Sequence, residues 1–214
     1  MSSDPPMNWR LSKLDKINFV SFSDSHSFWP WRIGREATVF DCGLNYNDIV
    51  NAIRTRSGMK MTIEVDPGYG IYHYTGHRDC GICISPSEAL KLKNICPKCS
   101  KPLTVGVLQR VEQLADRPDG FVPKNAVPFK NLLPLSEIAS LSSGTGIATK
   151  KTWELYNRLI KEFGTEMNVL LNAEFEKIKF VVGEKLANLV IRNRNSQIRV
   201  KPGCDGEYGI PVIE

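Results

Sequence analysis

Four cysteines stand in two pairs, Cys80-Gly81-Ile82-Cys83 and Cys96-Pro97-Lys98-Cys99, with twelve residues between the pairs. Two Cys-x-x-Cys knuckles at this separation can deliver four sulfurs to the corners of a tetrahedron, the arrangement of a structural zinc site. Gly81 and Pro97-Lys98 suit the tight turns that make each pair of sulfurs converge. Four thiolates close the coordination sphere, so such an ion holds a fold and does no chemistry. Cys42 and Cys204 have no partner in the sequence and are expected to be packed or tolerated.

A second constellation is Asp24-Ser25-His26, at the end of the apolar run Ile17–Ser23. If that run is a strand, Asp24 and His26 point to one side and can reach one ion together. Two ligands are fewer than the three protein ligands of a typical catalytic zinc, and the plain alternative is a polar turn after a core strand. Trp29, Trp31, Arg32 and Arg35 follow at once, a positive and aromatic shelf. A third stretch, PGYGIYHYTGHR over 67–78, crowds Tyr69, Tyr72, Tyr74, His73, His77 and Arg78 between glycines. Aromatics interleaved with cations suit stacking on an unpaired base and contact with its phosphate. The alternative is a glycine-rich loop whose tyrosines pack on the zinc module. His73 and His77 could ligate metal, but four cysteines already satisfy one zinc. Arg32, Arg35, Arg78 and Lys98 are the candidate phosphate contacts.

Charge favours the same region. Nine Lys/Arg stand against four Asp/Glu between Arg54 and Arg110, and the whole chain carries +5. A basic segment binds nucleic acid by displacing condensed counterions; otherwise it is a solvated face. The 214 residues, 42% hydrophobic and 24% charged, allow one large domain or two small ones. There is no apolar run of the roughly 18 residues that crossing a membrane needs. The start MSSDPPMNWR has no signal-peptide pattern. A cytoplasmic protein is expected, a setting that argues against disulfides.

The elements that must position these residues are mixed α and β. A short helix is expected near Leu11–Lys16, strands at Ile17–Ser23, Thr38–Asp41 and Met61–Val65, and a helix at Asn47–Arg56 capped by Asn47. Ser85-Pro86-Ser87-Glu88 reads as a capping box opening a short helix. Thr104–Leu114 has helical spacing. Residues 115–148 hold seven prolines or glycines and read as a long connection, with a helix at Leu135–Leu141. Lys150–Phe163 is the clearest helix: Trp153, Tyr156, Ile160 and Phe163 make an apolar stripe and Gly164 stops it. Helix is expected to continue over 166–179. Leu186–Arg194 fits a helix end or a strand, Gln197–Lys201 a strand, and Asp205–Gly209 a turn.

Residues 21–36, SFSDSHSFWPWRIGRE, resemble the last metal-binding motif of a polymerase-and-histidinol-phosphatase (PHP) domain, and more specifically that of the endonuclease Q family. The resemblance runs through DPGYGIYHYTGHRDCGIC (66–83), NICPKC (94–99), GVLQRVEQLADRP (106–118), AVPFK (126–130), PLSEI (134–138) and PGCDGEYG (202–209). It implies a metal-dependent DNA-repair endonuclease that cuts 5′ of deaminated bases such as hypoxanthine and uracil. It makes Asp24 and His26 catalytic and metal-binding, with a divalent ion (Mg, Mn or Zn), and Cys80, Cys83, Cys96 and Cys99 ligands of a structural zinc. The implied α/β (α+β) organisation is the C-terminal strands of a distorted PHP (β/α) barrel over 1–66, a zinc module over 67–104, and connecting loops with a mainly helical region over 105–214. The earlier PHP motifs, beginning with H-x-H, are not in this chain. Asp24 and His26 alone would not hold a metal cluster, so a separate N-terminal PHP polypeptide is an expected partner beside DNA. A non-catalytic zinc-containing DNA-binding fragment is the main alternative. A PHP-type phosphatase acting on small esters is a weaker one, since such a substrate needs neither the zinc module nor the Tyr/His/Arg loop.

Overall fold

The computed structural model describes residues 3–29 and 31–212, so Pro30 of the expected Trp-Pro-Trp loop lies outside the described residues. Helix α1 (Pro5–Trp9) starts where Asp4 accepts from the Met7 amide at 3.0 Å, with prolines in its first turn. A 3-10 turn, Ser12–Leu14, stands where a helix over Leu11–Lys16 was expected. Strand β1 (Ala37–Phe40) leads to helix α2 (Tyr46–Thr55). Its cap is Asn45, two residues before the expected Asn47, because Asn45 is the extended residue whose side chain accepts from the Asp48 amide. Strand β2 (Met59–Glu64) follows.

The middle of the chain holds the short strands β3 (Thr75–His77) and β4 (Ile82–Ile84), then helices α3 (Pro86–Lys91) and α4 (Val107–Leu114). The capping box on α3 forms as expected, with Ser85 and Glu88 exchanging bonds. Strand β5 (Phe129–Asn131) rises from the proline-rich connection. Five helices follow: α5 (Leu135–Ser143), α6 (Lys150–Phe163), α7 (Glu166–Leu171), α8 (Phe175–Val182) and α9 (Glu184–Arg194). The expected helix over 166–179 is broken after Leu171. Arg194 reaches back from the end of α9 and donates to the carbonyls of Leu170, Val169 and Ala173 at 2.8, 2.9 and 2.7 Å. Those carbonyls are ones that a helix end leaves without partners. Strands β6 (Arg199–Lys201) and β7 (Ile210–Val212) close the chain as a hairpin.

The described strands make three small sheets. In the largest, β2 is central, antiparallel to β1 and parallel to β5. β3 pairs with β4 and β6 with β7, both antiparallel. A mixed α+β fold is therefore observed. One core joins the sheet to the helices: Ile63 and Val65 of and after β2 pack with Leu135, Ile138, Leu159, Val169, Ile178, Leu186 and Val190. Each such side chain, fully buried, contributes about 1.5–3 kcal/mol. No helix among the described residues is long and apolar enough to cross a membrane.

Ile17–Ser23 is not a strand. The segment runs beside β1, but side chains anchor it. Ser21 donates from its amide to Thr38 Oγ1 (2.9 Å), Thr38 Oγ1 donates back to the Ser21 carbonyl (3.0 Å), and Ser21 Oγ donates to Glu64 (2.8 Å). A backbone bonded to hydroxyls forms no ladder. Ile17 and Phe22 are left 50% and 58% exposed, a wider apolar surface than an ordinary strand face leaves.

Candidate functional site

Ser23 ties off the loop that carries Asp24 and His26. Its hydroxyl accepts from the Gly34 amide at 2.7 Å and donates to the Glu36 carbonyl at 3.0 Å. Asp24 has φ +44°, in the left-handed region that Asp tolerates better than most residues. The strand geometry expected to align Asp24 with His26 is therefore absent. A different contact brings them together. His26 Nδ1 donates to the Asp24 carbonyl at 3.0 Å, which fixes the ring and leaves the Nε2 lone pair for a ligand. Both residues line an open pocket of about 390 Å³ with Arg32, Arg35, Glu36 and three serines.

A second pocket, about 310 Å³, shares Arg32 and Arg35 with the first and adds Trp31, Tyr69, Glu137 and Tyr208. Arg35 is less exposed than a phosphate contact would be. Its side chain is 8% accessible and lies 4.0 Å from Glu137 Oε1. Burial pushes the Glu137 carboxyl above its usual range, against the pull of Arg35 and Arg32. The Tyr69 hydroxyl is buried and has no hydrogen-bond partner among the described residues, as is the case for Arg35 Nε. Burial, then Glu137 and Asp66, raises the Tyr69 hydroxyl well above the ordinary tyrosine value, so it stays protonated and able to donate. A third pocket, about 240 Å³, shares Tyr208 and is walled by Tyr72 and His73. Asp24, His26, Arg32, Arg35, Tyr69, Tyr72 and His73 thus lie along one run of pockets. Glu137 and Tyr208 also belong to it. They sit in PLSEI and PGCDGEYG, and those strings were the only signal that could have found them.

The remaining expected residues stand elsewhere. Tyr74 is half-buried and stacks on His73, centroids 5.5 Å apart. Burial holds His73 below its ordinary pKa, so it acts as a neutral ring. Arg78 is exposed, and its backbone amide donates to Asp205 at 2.6 Å. Lys98 is occupied within the cysteine module, donating to the Cys80 carbonyl at 2.8 Å.

The metal-ligand expectation needs a correction. The donor atoms of His77, Cys80, Cys96 and Cys99 lie within 4.8 Å of one another, and Cys83 is not among them. Cys83 is bonded to Cys204, with Cα atoms 5.8 Å apart. The cause is local. The 3-10 turn Arg78–Cys80 ends in a left-handed Gly81, and the chain then extends as β4, with Cys83 opposite Gly76 of β3. Gly76 leaves room for the partner, since a Cβ there would stand 3.0 Å from that of Cys204. His77, one residue on, takes the fourth corner, and its Nδ1 is otherwise buried without a partner. Three thiols and one imidazole fit a tetrahedral zinc as well as four thiols do.

A buried polar chain links this module to the aromatic loop. Thr75 Oγ1 donates to Gln109 Oε1 (2.6 Å) and accepts from the Gly106 amide (3.0 Å), while Gln109 Nε2 donates to Asn94 (2.9 Å). Gln109 is fully buried. Gln109→Leu leaves Thr75 and Asn94 without their partner and is expected to cost about 1–3 kcal/mol. Thermal unfolding should show a fall of roughly 2–12 °C. Gly106 is confined as well: a Cβ there would stand 2.5 Å from the His73 carbonyl oxygen.

The chain is similar in sequence and in structure to known proteins. The family described as MJ0043 C-terminal domain matches residues 134–197. The uncharacterized protein MJ0043 of Methanocaldococcus jannaschii is 34% identical over 98% of this chain and 27% of its own length. The uncharacterized protein YqxK of Bacillus subtilis is 28% identical over 98% of this chain and 50% of its own. The solved lesion-specific endonuclease PfuEndoQ of Pyrococcus furiosus superposes with TM-score 0.89 at 33% identity, covering 99% of this chain and 53% of that one. An Endonuclease Q solved with a 27-mer duplex substrate, an abasic lesion at its active site, gives TM-score 0.87 at 33% identity over 100% of this chain and 54% of that one. The chain therefore spans about half the length of the solved relatives it matches.

Proposed function

We propose that this chain is part of an endonuclease Q, a reading supported by its likeness, over nearly its whole length, to two solved Endonuclease Q structures: it supplies the DNA-reading portion and one edge of the catalytic site of a metal-dependent DNA-repair nuclease. The observation that carries this reading is the continuous run of pockets from Asp24 and His26, past Arg32 and Arg35, to Tyr69, Tyr208, Tyr72 and His73. The β1–β2–β5 sheet would lie at the edge of a PHP barrel. The rest of that barrel, with the further metal ligands, comes from sequence beyond this chain.

Each group then has a task. His26 offers Nε2 and Asp24 its carboxylate to a divalent ion (Mg, Mn or Zn). An ion held there would supply an activated water and positive charge for the leaving oxygen. Arg32 meets the phosphate. Tyr72, Tyr208 and the neutral His73 offer ring faces to an unpaired base. A deaminated base such as hypoxanthine or uracil pairs weakly, so extruding it from the stack costs less than extruding a normal one. His77, Cys80, Cys96 and Cys99 hold a structural zinc that keeps the aromatic loop in place.

The test compares duplexes that differ by one base. With the remainder of a full-length relative added and magnesium present, the protein should nick the strand 5′ of a single deoxyinosine or deoxyuridine and spare the undamaged duplex. Equal cutting of both duplexes would sink the lesion-specific reading. A second reading keeps some support: among the described residues, Asp24, His26 and Glu36 are the potential ligands that line the first pocket, fewer than a cluster of metal ions needs. A zinc-containing module that binds DNA without cutting it would show lesion-dependent binding and no nick under any condition.

A further inference from the structure

Phe28, Trp29 and Trp31 form a ladder of nearly parallel rings. The centroids of Phe28 and Trp29 are 4.9 Å apart with planes at 27°, and those of Trp29 and Trp31 are 4.7 Å apart at 12°. The inner end is anchored. Trp31 leans on Trp153 of α6 at 5.6 Å, and Trp153 meets Tyr156 edge-on at 4.8 Å. The Tyr156 hydroxyl donates to Glu166 at 3.0 Å, and Glu166 also accepts from the Leu135 amide at 2.7 Å. The ladder is thus fixed to the core of the helical region. Its outer end is open: Trp29 is 44% exposed and Phe28 78%. Single exposed apolar side chains need no explanation. Three rings stacked in register, braced from behind and ending in a bare ring face, are a surface that continues a stack.

We infer that this ladder is a platform for a nucleobase, and that Phe28 takes the base next to the damaged nucleotide. The inference rests on the nuclease reading above and adds residues with no part in it. Two observations choose DNA over a protein partner. First, the ring planes repeat with the near-parallel, offset geometry of stacked bases, which any base can extend whatever its sequence. Second, the ladder grows from the same loop as Asp24 and His26, and Trp31 shares a pocket with Arg32 and Arg35. A base on Phe28 would bring its phosphate toward the Arg32 guanidinium, a group of the right sign. The device also meets a need of the proposed reaction. Extruding one nucleotide leaves its neighbour without a stacking partner, and a ring supplied by the protein replaces what was lost.

The experiment uses a duplex with one abasic site and 2-aminopurine on its 5′ side, titrated with the intact chain. Binding is followed by 2-aminopurine and tryptophan fluorescence. Wild type should quench the probe. Phe28→Ala and Phe28→Leu should lose the quench and weaken binding on the order of ten- to a hundred-fold, with unchanged thermal unfolding, because the side chain is mostly in solvent. Phe28→Trp should restore both. If wild type binds the lesion duplex and both the Ala and Leu variants bind and quench equally well, the platform is refuted and the nuclease reading stands. If wild type shows no preference for the lesion duplex and nicks nothing when completed by the rest of a relative, both fall together.

Discussion

Replacing Cys96 with serine should release the structural metal and unfold the module around it. Cys96 is fully buried, and the buried apolar side chains near it in the chain are few, Ala89 and Leu103 among them. In small metal modules the binding free energy, about 10–16 kcal/mol, is the folding free energy. Losing it is comparable to the whole stability of a typical domain, about 5–15 kcal/mol. Metal content measured by mass spectrometry should drop from one equivalent toward zero, and a chelator should do the same to wild type. The ligand set is tested in the same series. His77→Ala should lose the metal as Cys96→Ser does, while Cys83→Ser should keep it. The opposite pattern, with His77 dispensable and Cys83 essential, would restore the two Cys-x-x-Cys knuckles as the site.

Reducing the Cys83–Cys204 bond should lower stability sharply and leave the metal in place. The bond joins residues 121 positions apart. Closing a loop of that length removes entropy from the unfolded chain worth roughly 5 kcal/mol. For a chain of this size that is a fall of roughly 10–20 °C in melting temperature. It also holds the turn between β6 and β7 against the aromatic loop, where Tyr74 donates its amide to the Gly203 carbonyl and Gly206 to that of Ile71, both at 2.9 Å. Melting with and without a phosphine reductant, with zinc assayed in each sample, measures both effects. A melting temperature that ignores the reductant would show that the two cysteines are not joined as described, and metal released on reduction would show that the bond supports the metal site.

These two residues mark where sequence reasoning reached its limit. Cys-x-x-Cys spacing states that two sulfurs are near each other along the chain. It does not register that Cys83 falls in a three-residue strand whose pairing sends it to Cys204. The same blindness hid β3, β4, β5 and β7. Each is three residues long, carries no periodic pattern, and exists because a neighbour pairs with it. Asp24 defeated the two-residue strand rule because its own backbone turns left-handed. Patterns that are local survived. Helix α6 was readable to the residue from its apolar stripe and Gly164, and α3 from its capping box. The long strings that resemble endonuclease Q pointed to the same proteins whose solved structures this chain resembles, and Glu137 and Tyr208 lie within them.

The central claim is that Asp24 and His26 belong to a catalytic site that this chain shares with sequence outside it. The most direct measurement is a nicking assay on a labelled duplex with one deoxyinosine, in magnesium or manganese. It is run with the chain alone, with a polypeptide carrying the missing PHP motifs alone, and with both. The account predicts cutting 5′ of the lesion only with both, lost by at least a thousandfold in Asp24→Ala. Cutting by this chain alone, or undiminished cutting by the Asp24→Ala pair, would contradict it.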